Sequence, residues 1–587
     1  MTASLSRRSR LDAVLAHRGG RALLQTCLPG ITNSPMLLQF GALPVEEIIG
    51  MNSALADDAG RLAEVWERLE SLQPDPSADG SHEEWPAPAD DYEPLGAPAP
   101  FVHAPEVPRW GRFELEIAGP RHGNPFTDVE LTATFSLEEG LAGDESEVRV
   151  GGFYDGDGAY RLRFMPRLEG EWAFVTHSNA ASLDGLHGTF HCGPAAPEAH
   201  GPVRVADTFH FAYEDGTRYL PVGTTAYAWT HQPDELQERT LETLAGSPFN
   251  KLRMCVFPKS YLFNTNEPEL FPYERGADGW HFARFNPDYF RKLERRIDQL
   301  AALGVEADLI LFHAYDRWGF ADMGAQADDA FVRHVVRRLS AFSNVWWSLA
   351  NEYDLMRSKT EDDWERLARI VTDNDPTDHL TSIHNCFGFY DYSREWITHA
   401  SVQRIDVYRT AENTDEWRER WSKPVVIDEC AYEGDIDQGW GNITGEEMVR
   451  RFWEGAVRGG YVGHGETYLN DAEELWWSKG GRLVGDSPDR IAFLAEIMAQ
   501  MPDGVIDPLA SDWDAPRGGS AGRCEIVYFG FNRPRYRTLV VPPGASCTVD
   551  VIDTWNMRIH RLDGVRRGIF RVELPGRQYM AVRLTFQ

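Results

Sequence analysis

The middle of the chain, residues 206–502, alternates short apolar segments with amphipathic ones, and this pattern limits the fold more than any other feature. Eight segments are predicted strands: RYLPVGTTAY, NKLRMCVFP, VEADLILFHAY, VWWSLANEYD, HLTSIHNC, ASVQRIDVY, PVVIDEC and YVGHGETY. Segments with apolar residues at three- and four-residue spacing, such as PDYFRKLERRIDQLAALG, lie between most of them and are typical of helices. Eight strand–helix units favour a closed (β/α)8 barrel. An open sheet would be expected to carry a glycine-rich phosphate loop after its first strand, and GTTAYAWTH is not one.

Four further regions flank the predicted barrel. Residues 1–72 are predicted helices, because apolar residues recur at helical spacing in LDAVLAHRGGRALLQ and SALADDAGRLAEVWERLESL. Residues 73–105 are rich in Pro, Asp and Glu and form a predicted linker or surface strap. Residues 106–200 and 505–587 contain short alternating strands separated by turn signals, which is typical of small β-sandwiches. The expected fold is α/β: a TIM barrel flanked by N-terminal and C-terminal β-sandwich domains, with an N-terminal helical segment.

The charge balance limits the partners. The formal net charge is −33 at pH 7, and such a surface repels phosphate backbones and anionic lipids, so we expect no nucleic acid and no membrane partner. Neutral or cationic ligands remain open. No run of about 18 apolar residues appears, and the basic N-terminus is not followed by an apolar signal segment, so we expect a cytoplasmic protein. The seven cysteines, an odd number without CxxC spacing, are expected to be buried and reduced.

The C-terminal ends of the predicted strands carry polar, aromatic and acidic side chains, and in a (β/α)8 barrel this is where the working groups lie. Sugars need this mixture, because hydroxyls require hydrogen-bond groups and the apolar faces of the rings require flat aromatic surfaces. No three close His or Cys ligands stand out, so no metal and no cofactor is predicted. The residues at strand ends are Tyr227, Trp229, Arg253, His313, Tyr315, Asp316, Asn351, Glu352, His384, Asn385, Gln403, Asp428, Glu429, His464 and Glu466.

Two of these carboxylates have the spacing that glycoside cleavage needs. The fourth strand ends in Asn351-Glu352, and the seventh ends in Asp428-Glu429. Strands four and seven of an eight-stranded barrel lie nearly opposite each other, so their carboxylates can face one cleft. One carboxyl can then protonate the leaving oxygen while an ionised partner, about 5–5.5 Å away, attacks the anomeric carbon. The surroundings must separate the two pKa values.

Together the two motifs resemble the signature of clan A glycoside hydrolases. A β-sandwich followed by a barrel that opens with YLPVGTTAYAW resembles the bacterial apiosidase-like group. The resemblance implies a retaining mechanism with Glu352 as acid/base and Glu429 as nucleophile. It also implies that Asn351 binds the sugar 2-hydroxyl and that Arg253 supports the nucleophile. Neighbouring residues of a strand point to opposite sides, so only one of Asp428 and Glu429 is expected to face the cleft, and the resemblance favours Glu429.

Strand 6 departs from the commonest pattern of this clan because it has no clear His-x-Tyr, and Gln403 or Tyr408 is the candidate to replace it. Glu466 is expected either to bind a substrate hydroxyl or to pair with Arg253. For the histidines at strand ends and the tryptophans in the loops after strands 3, 7 and 8, the alternative to sugar binding is core packing. The predicted substrate-binding residues are Asn351, Arg253, His313, His384, Asn385, Gln403, Glu466, Trp318, Trp440 and Trp476, with Trp477 as a further candidate.

The leading hypothesis is hydrolysis of small imported oligosaccharides or glycosides by exo-type action, because polymers do not enter the cytoplasm. Its rival is a carbohydrate-binding or scaffold protein that retains the barrel without catalysis, and the presence of both glutamates counts against it. A serine hydrolase or a metallohydrolase is disfavoured by the lack of GxSxG and HExxH. The apolar stripes of residues 11–72 must be covered by the rest of the molecule or by a second copy, so a homo-oligomer is expected.

Overall fold

The structure is a computed structural model, and it describes residues 5–28, 43–50, 55, 58–72, 85–89, 92–137, 146–261, 263–277, 279–404, 409–472 and 474–587. Within these residues, a central parallel barrel is preceded by helices and flanked by β-rich regions, as the sequence predicts. None of the described helices combines the length and the apolar character needed to cross a membrane. All seven cysteines are free, and six of them are buried.

Eight parallel strands form the barrel. Barrel strands 1 to 8 are, in chain order, Gly223–Thr225, Lys251–Cys255, Glu306–His313, Val345–Asn351, Thr381–Ser382, Ala400–Gln403, Val425–Glu429 and Tyr461–His464. They pair in the order 5-4-3-2-1-8-7-6, and a parallel bridge between His384 and Ser401 joins strands 5 and 6. The sheet therefore closes on itself, and the predicted barrel is confirmed. Each of the eight predicted segments contains one of these strands.

Helices cover the outside of the barrel and bury their apolar faces against it. Local sequence sets their starts: the Asn286 side chain accepts a hydrogen bond from the amide of Asp288, while Pro287 fixes the first helical φ. Thr360 and Asp363 form a reciprocal capping box at another start. The barrel helices are Asp234–Ala245, Pro287–Ala302, Ala325–Leu339, Glu361–Asn374, Thr414–Trp421, Gly445–Val457, Trp476–Lys479 and Ser487–Ala499.

Two sheets face each other in the region before the barrel. Along the strands, buried and more exposed residues alternate, and the inward residues form a core rich in phenylalanine. This period of two is the pattern from which the sequence predicts a sandwich. The first sheet contains Phe101–His103, Phe113–Ala118, Ala159–Phe164 and Phe153–Tyr154. The second contains Glu106–Pro108, His187–Gly193, Gly170–Ser178, Leu131–Leu137 and Glu147–Gly151, and the short helix Pro125–Asp128 precedes its strand Leu131–Leu137.

A buried ionic network joins this sandwich to the barrel. Asp155 of the sandwich accepts hydrogen bonds from Arg338 of a barrel helix at 2.8 Å and from Arg161 at 2.9 Å. In the opposite direction, Arg163 of the sandwich pairs with Glu294 of another barrel helix at 2.8 Å, and Glu294 pairs with Arg338 at 2.6 Å. Burial raises the pKa of Asp155, but the arginines more than offset it, and the net shift is downward. The charges therefore compensate one another across the boundary between the two regions.

A small antiparallel sheet precedes strand 1 and packs beneath the barrel. Its Phe211 and Tyr219 contact Trp346, Val426 and Tyr461, which lie at the starts of strands 4, 7 and 8. This packing closes the N-terminal end of the barrel, so the opposite end is left for the site. The three strands of the sheet are Val203–Ala206, His210–Tyr213 and Arg218–Tyr219.

The C-terminal region is again β-structure with its own apolar core. It packs on the barrel helix Gly445–Val457, where the rings of Trp453 and Tyr528 stack at 5.5 Å. One sheet contains Asp507–Asp512, Ala515–Ser520, Cys524–Tyr528, Met580–Phe586, Cys547–Asp553 and Arg558–Arg561, and a second contains Tyr536–Val540 and Ile569–Glu573.

The N-terminal helices bury their apolar stripes against one another. Their shared core includes Leu11, Val14, Leu24, Ile49 and Leu69. These residues therefore do not need the barrel or a second copy to cover them, and the homo-oligomer stays a prediction. The described helices are Leu11–Ala16, Arg18–Cys27, Val45–Gly50 and Ala59–Glu70.

Candidate active site

Glu352 and Glu429 lie at the mouth of the barrel, directly after strand 4 and at the end of strand 7. Every residue of strand 4 is buried, and Glu352 then adopts φ 54° and ψ 56°, the left-handed region that a non-glycine residue rarely occupies. This conformation ends the strand and leads the chain into the short helix Tyr353–Leu355. Strained backbone of this kind is concentrated at functional sites.

Neutral hydrogen-bond donors surround Glu352. The Tyr315 hydroxyl donates to its Oε2, and the Gln403 side-chain amide donates to its Oε1 at 2.8 Å. Burial, and after it the charge of Glu429, raises the pKa of the Glu352 carboxyl to about 7, although both hydrogen bonds act against the shift. A carboxyl with this pKa keeps its proton up to nearly neutral pH, which a proton donor requires.

Glu429 has a cation beside it instead. Arg253 Nη1 lies 3.9 Å from Glu429 Oε1, and the Tyr227 hydroxyl donates a hydrogen bond to the same oxygen. His384 Nε2 lies 3.5 Å from that oxygen as well. Burial, and then the charge of Arg253, holds the pKa of His384 well below its usual value, so this histidine is neutral. Its Nδ1 faces Arg253 Nη1 at 3.3 Å, and the proton therefore lies on Nε2, which points to Glu429.

Asn351 connects these groups. Its Oδ1 accepts a hydrogen bond from Arg253 Nη2 at 2.9 Å and lies 3.0 Å from the Tyr227 hydroxyl. Its Nδ2 donates no hydrogen bond to another described residue, so this amide can donate to a ligand. The structure thus brings together eight of the strand-end residues that the sequence selected: Tyr227, Arg253, Tyr315, Asn351, Glu352, His384, Gln403 and Glu429.

Asp428 also points into the barrel, and the expected alternation of side chains is wrong at this point. Its carboxylate accepts hydrogen bonds from Lys251 Nζ at 2.9 Å and from the Ser401 hydroxyl at 2.5 Å. The pairing of strands 6 and 7 advances two residues on strand 6 and three on strand 7, which is a bulge. Two consecutive acids therefore face the interior. Glu429 contacts the residues of the mouth, whereas the Asp428 carboxylate is already hydrogen-bonded to Lys251 and Ser401.

On strand 6, Gln403 is the residue that reaches Glu352. Asn385 holds the backbone of Gln403: its Nδ2 donates to the Gln403 carbonyl at 3.0 Å, and its Oδ1 accepts from the Gln403 amide at 3.3 Å. Asn385 Oδ1 also accepts from the Tyr392 hydroxyl at 3.2 Å. The predicted substrate contact of Asn385 is therefore replaced by protein contacts that position Gln403. Tyr408 lies outside the described residues.

An aromatic wall lines one side of the mouth. The rings of Trp440 and Trp477 lie 4.9 Å apart, and that of Trp477 lies 5.4 Å from Tyr227, which touches Glu429. Phe263 and Tyr261 complete the wall, at 6.4 Å and 5.7 Å from the Trp477 ring. Trp440 therefore lies in the wall, its contact with substrate stays a prediction, and Trp477, the further candidate, contacts the ring of Tyr227.

Three predicted substrate-binding residues belong to the core instead. Trp476 is 1% exposed, and its Nε1 donates to Thr224 Oγ1 at 2.9 Å. Trp318 lies in the core cluster of the barrel. His313 is buried with its Nε2 3.2 Å from the Phe257 carbonyl, and burial lowers its pKa to about 3. For these residues the core-packing alternative describes the structure.

Glu466 does not pair with Arg253. Its carboxylate accepts hydrogen bonds from the amides of residues 484–485, both at 2.9 Å, and burial raises its pKa to about 7. The neighbouring Glu433 accepts from the amides that begin the next helix. Together with His464, these acids are the described residues whose ligand atoms lie within 4.8 Å of one another, close enough to hold a metal ion. Because both carboxylates already accept hydrogen bonds from backbone amides, we assign to Glu433 and Glu466 the role of holding the loop before Ser487–Ala499 in place.

Sequence reasoning missed Lys259. This residue lies in the loop after strand 2 and is 2% exposed, with its Nζ 3.5 Å from the centre of the Tyr227 ring and 4.4 Å from that of Tyr315. The same two tyrosines donate to Glu429 and Glu352. The predicted strand segment NKLRMCVFP stops one residue before Lys259. Its position directly after a strand end is the sequence feature that could have identified it as a site residue.

Two buried glutamates with different surroundings, at the mouth of a (β/α)8 barrel, define a glycoside hydrolase of the clan A type. Comparisons with known proteins agree. Residues 206–480 match the apiosidase-like catalytic domain, and residues 106–179 and 513–585 match two domains of unknown function, DUF5060 and DUF5605. The chain belongs to the glycoside hydrolases that carry an apiosidase-like catalytic domain.

Solved structures support this assignment. A "putative glycoside hydrolase" from Bacteroides vulgatus is 37% identical, with a TM-score of 0.77, and the match covers 82% of this chain and 100% of the other. A family 5 glycoside hydrolase from the same organism is 16% identical, with a TM-score of 0.51 and coverage of 66% and 94%, and shares the fold. Among curated proteins no match was found. The predicted class, a clan A barrel between β-sandwiches, is confirmed.

Proposed function

We propose that the protein is a retaining, exo-acting glycosidase of small oligosaccharides or glycosides, with Glu352 as acid/base and Glu429 as nucleophile. The difference between the surroundings of the two carboxyls carries this proposal. Glu352 accepts hydrogen bonds from a tyrosine and an amide and has its pKa raised to about 7, whereas Glu429 faces the guanidinium of Arg253. A retaining glycosidase needs one protonated and one ionised carboxyl at the same pH.

In the first step, a Glu429 oxygen forms a bond to the anomeric carbon while the bond from that carbon to the leaving oxygen breaks. Glu352 gives its proton to the leaving oxygen, so the departing group is a neutral alcohol. Arg253 and His384 hold Glu429 in place, and Asn351 Nδ2 is positioned to bind the sugar hydroxyl next to the anomeric carbon.

In the second step, water replaces Glu429 at the anomeric carbon. Glu352, now ionised, takes a proton from this water as the new carbon–oxygen bond forms and the ester bond to Glu429 breaks. Both carboxyls return to their starting protonation states. Two inversions at one carbon give a product with the anomeric configuration of the substrate.

Burial of the pair supports exo-type action on small substrates. Glu352 is 7% exposed and the Glu429 side chain 11%, so the end of a glycoside fits this site better than the middle of a long polymer. A rapid fall in the viscosity of a polysaccharide solution would contradict this part of the proposal. The cytoplasmic location and the homo-oligomer stay predictions, to be checked by cell fractionation and light scattering.

Trapping the covalent intermediate tests the mechanism. We expect a 2-fluoro glycoside with an activated leaving group to label one peptide, the one that contains Glu429, because the fluorine slows both steps and the activated leaving group restores the rate of the first step only. NMR of the first product formed from an unmodified substrate should show retained anomeric configuration.

The Glu429→Gln variant is the matched control and should take up no label. Label on Asp428 would move the nucleophile to the neighbouring acid. A product of inverted configuration would exclude the retaining mechanism, and sugar binding without any turnover would favour the rival carbohydrate-binding protein.

A further inference from the structure

Lys259 is a buried cation with no described carboxylate in direct contact. Its Nζ is surrounded by the rings of Tyr227, Tyr315, Trp477 and Tyr261, with centroids at 3.5, 4.4, 4.6 and 5.7 Å. No carboxylate of the described residues lies within 4.0 Å of this nitrogen, and no described side chain accepts a hydrogen bond from it. An ammonium group has three donors, and none of them is taken by a carboxylate or another side-chain acceptor of the described residues.

The loop that carries Lys259 is held firmly. The Lys259 carbonyl accepts a hydrogen bond from Asn264 Nδ2 at 2.6 Å, and the next amide, that of Ser260, donates to the Tyr315 carbonyl at 2.8 Å. Asn264 Oδ1 in turn accepts from the Gln232 amide at 3.1 Å. The position of the ammonium group is therefore fixed by the fold and does not result from a freely moving side chain.

Two other buried lysines have the carboxylate partners that Lys259 lacks among the described residues. Lys251 pairs with Asp308 and Asp428, and Lys359 pairs with Asp328. Removing an ammonium ion from water costs several kcal/mol, and aromatic rings offset only a part of this cost. A hydroxyl of a neutral sugar can be bound by an uncharged amide, so a buried charge is better explained by an anionic group of the ligand.

We propose that Lys259 is a specificity-determining residue that binds the carboxylate of an acidic sugar, so that the substrates are uronides. This inference rests on the proposed glycosidase function and names its substrate class. It replaces the neutral or cationic ligand that the net charge of −33 suggests, because a cation in contact with the ligand outweighs screened surface charges. The Tyr227 hydroxyl contacts Glu429 and the Tyr315 hydroxyl contacts Glu352, so Lys259 lies on the wall between the two carboxyls. Gln403 and His384 lie on the opposite strands, 6 and 5. A ring held between the glutamates would present one side to Lys259.

The protonation state of Lys259 offers a second measurement of the proposed contact. Burial lowers the pKa of the Lys259 ammonium to about 8, and the nearby acids only partly counter this shift. A bound carboxylate would stabilise the charged form. The affinity for a uronide should therefore fall as the pH rises through about 8, while the affinity for a neutral sugar should not follow this profile.

Paired substrates test the proposal. Nitrophenyl glucuronide, galacturonide and mannuronide are compared with the glucoside, galactoside and mannoside, because each pair differs only at the carboxylate. We expect at least one uronide to exceed its neutral partner in kcat/KM. Lys259→Met should reduce that ratio by at least about 30-fold, since a charge pair with a buried partner is lost. Lys259→Arg should restore part of it, and Lys292→Met, which removes a lysine from a barrel helix, should leave the ratio unchanged.

A calorimetric titration of the Glu352→Gln variant with the free uronic acids separates this inference from the proposed function. Binding that requires Lys259, without hydrolysis of any glycoside, would support the acidic-sugar site and reject the glycosidase mechanism. A neutral glycoside cleaved in preference to its uronide, or a uronide preference that Lys259→Met does not change, would overturn the inference and leave the glycosidase intact. Absence of both hydrolysis and uronic acid binding would overturn both.

Discussion

Lys251 and Lys259 lie on and just after the same barrel strand, but their charges meet different surroundings. Lys251, Asp308 and Asp428, here called the floor cluster, form a buried triad with nitrogen–oxygen distances of 2.5 and 2.9 Å. The mouth cluster consists of Arg253, Lys259, Glu352 and Glu429. In the mouth cluster Arg253 lies 3.9 Å from Glu429, and Lys259 has no carboxylate partner among the described residues.

The comparison separates charges that hold the fold from charges that serve chemistry. In the floor cluster both carboxylates share direct contact with the single cation, Lys251, and these contacts tie strands 2, 3 and 7 together. In the mouth cluster the opposite charges lie farther apart: Arg253 is 3.9 Å from Glu429, and Lys259 has no described carboxylate within 4.0 Å, which keeps these groups available to a substrate. Because perturbed pKa values and unpaired groups accumulate at functional sites, the mouth cluster carries the catalytic prediction.

Glu429→Gly should produce the largest change in activity, which would show that the mouth cluster takes part in catalysis. We expect kcat to fall on the order of 10⁴-fold or more, because the attacking group is gone. Thermal stability should change little. Azide should restore turnover of an activated glycoside and give a glycosyl azide of inverted configuration. Failure of azide to restore any activity would count against the role of Glu429.

Lys251→Met breaks the floor cluster and should affect folding. It leaves two buried carboxylates without their cation, so the free energy of unfolding should fall by about 3–5 kcal/mol. Urea unfolding followed by circular dichroism measures the change. Lys292→Met is the control, since Lys292 pairs with exposed acids, and it should cost less than about 1 kcal/mol. Equal losses in the two variants would remove the distinction between the clusters.

Glu352→Gln should remove the acid without removing the nucleophile. We expect a loss of about 10²–10⁴-fold for substrates with poor leaving groups and a much smaller loss for activated aryl glycosides. The basic limb of the rate profile, expected near the Glu352 pKa of about 7, should disappear. An equal loss for both kinds of substrate would show that Glu352 is not the acid.

The raised pKa of Glu352 also predicts how the stability of the same variant depends on pH. The folded-state pKa of Glu352 is raised from 4.5 to about 7, so its contribution to stability is fully present below the unfolded value and is lost as the pH rises through about 7. The free energy of unfolding of Glu352→Gln minus that of the wild type should therefore be larger at pH 8 than at pH 4. Unfolding curves at the two pH values check this, and a difference of the opposite sign would contradict the raised pKa.

Gln403→Leu should give the smallest effect. Its amide donates to Glu352 at 2.8 Å and favours the ionised carboxyl, so its removal should raise the Glu352 pKa further. We expect the basic limb to move upward by about one pH unit or less, the equivalent of one hydrogen bond. Gln326→Leu, on a helix that contacts the strap near Trp85, is the control and should leave the profile unchanged. A downward movement would mean that the hydrogen bond acts in the opposite sense.

The sequence was sufficient for the fold and for the central pair because both depend on local patterns. Apolar runs that end in polar residues mark buried strands, and strands four and seven lie across a barrel by geometry. Glu352 could be selected on this basis, whereas the choice of Glu429 over its neighbour Asp428 needed the resemblance to clan A glycoside hydrolases. The placement of Gln403 followed from the same rule, since it ends strand 6.

What the sequence did not predict depends on orientation and on long-range partners. The bulge that turns Asp428 inward comes from pairing with strand 6, which no local pattern contains. Trp476 and Trp477 are neighbours, and only the folded loop decides that Trp476 enters the core and Trp477 the mouth. Glu466 finds its partners at residues 484–485, and Lys259 becomes unusual only once four rings surround it.

The ionic network between Asp155, Arg338, Arg163 and Glu294 has a consequence for how such a protein can change over generations. Family boundaries divide the chain near residues 179 and 206, as if the modules could be exchanged. A recombination event that replaced the sandwich would leave the guanidinium of Arg338 and the carboxylate of Glu294 buried at the new junction without their partners from the sandwich. Inheritance of the two modules as one block is therefore favoured, and a chimera built by an engineer must transplant these four side chains together.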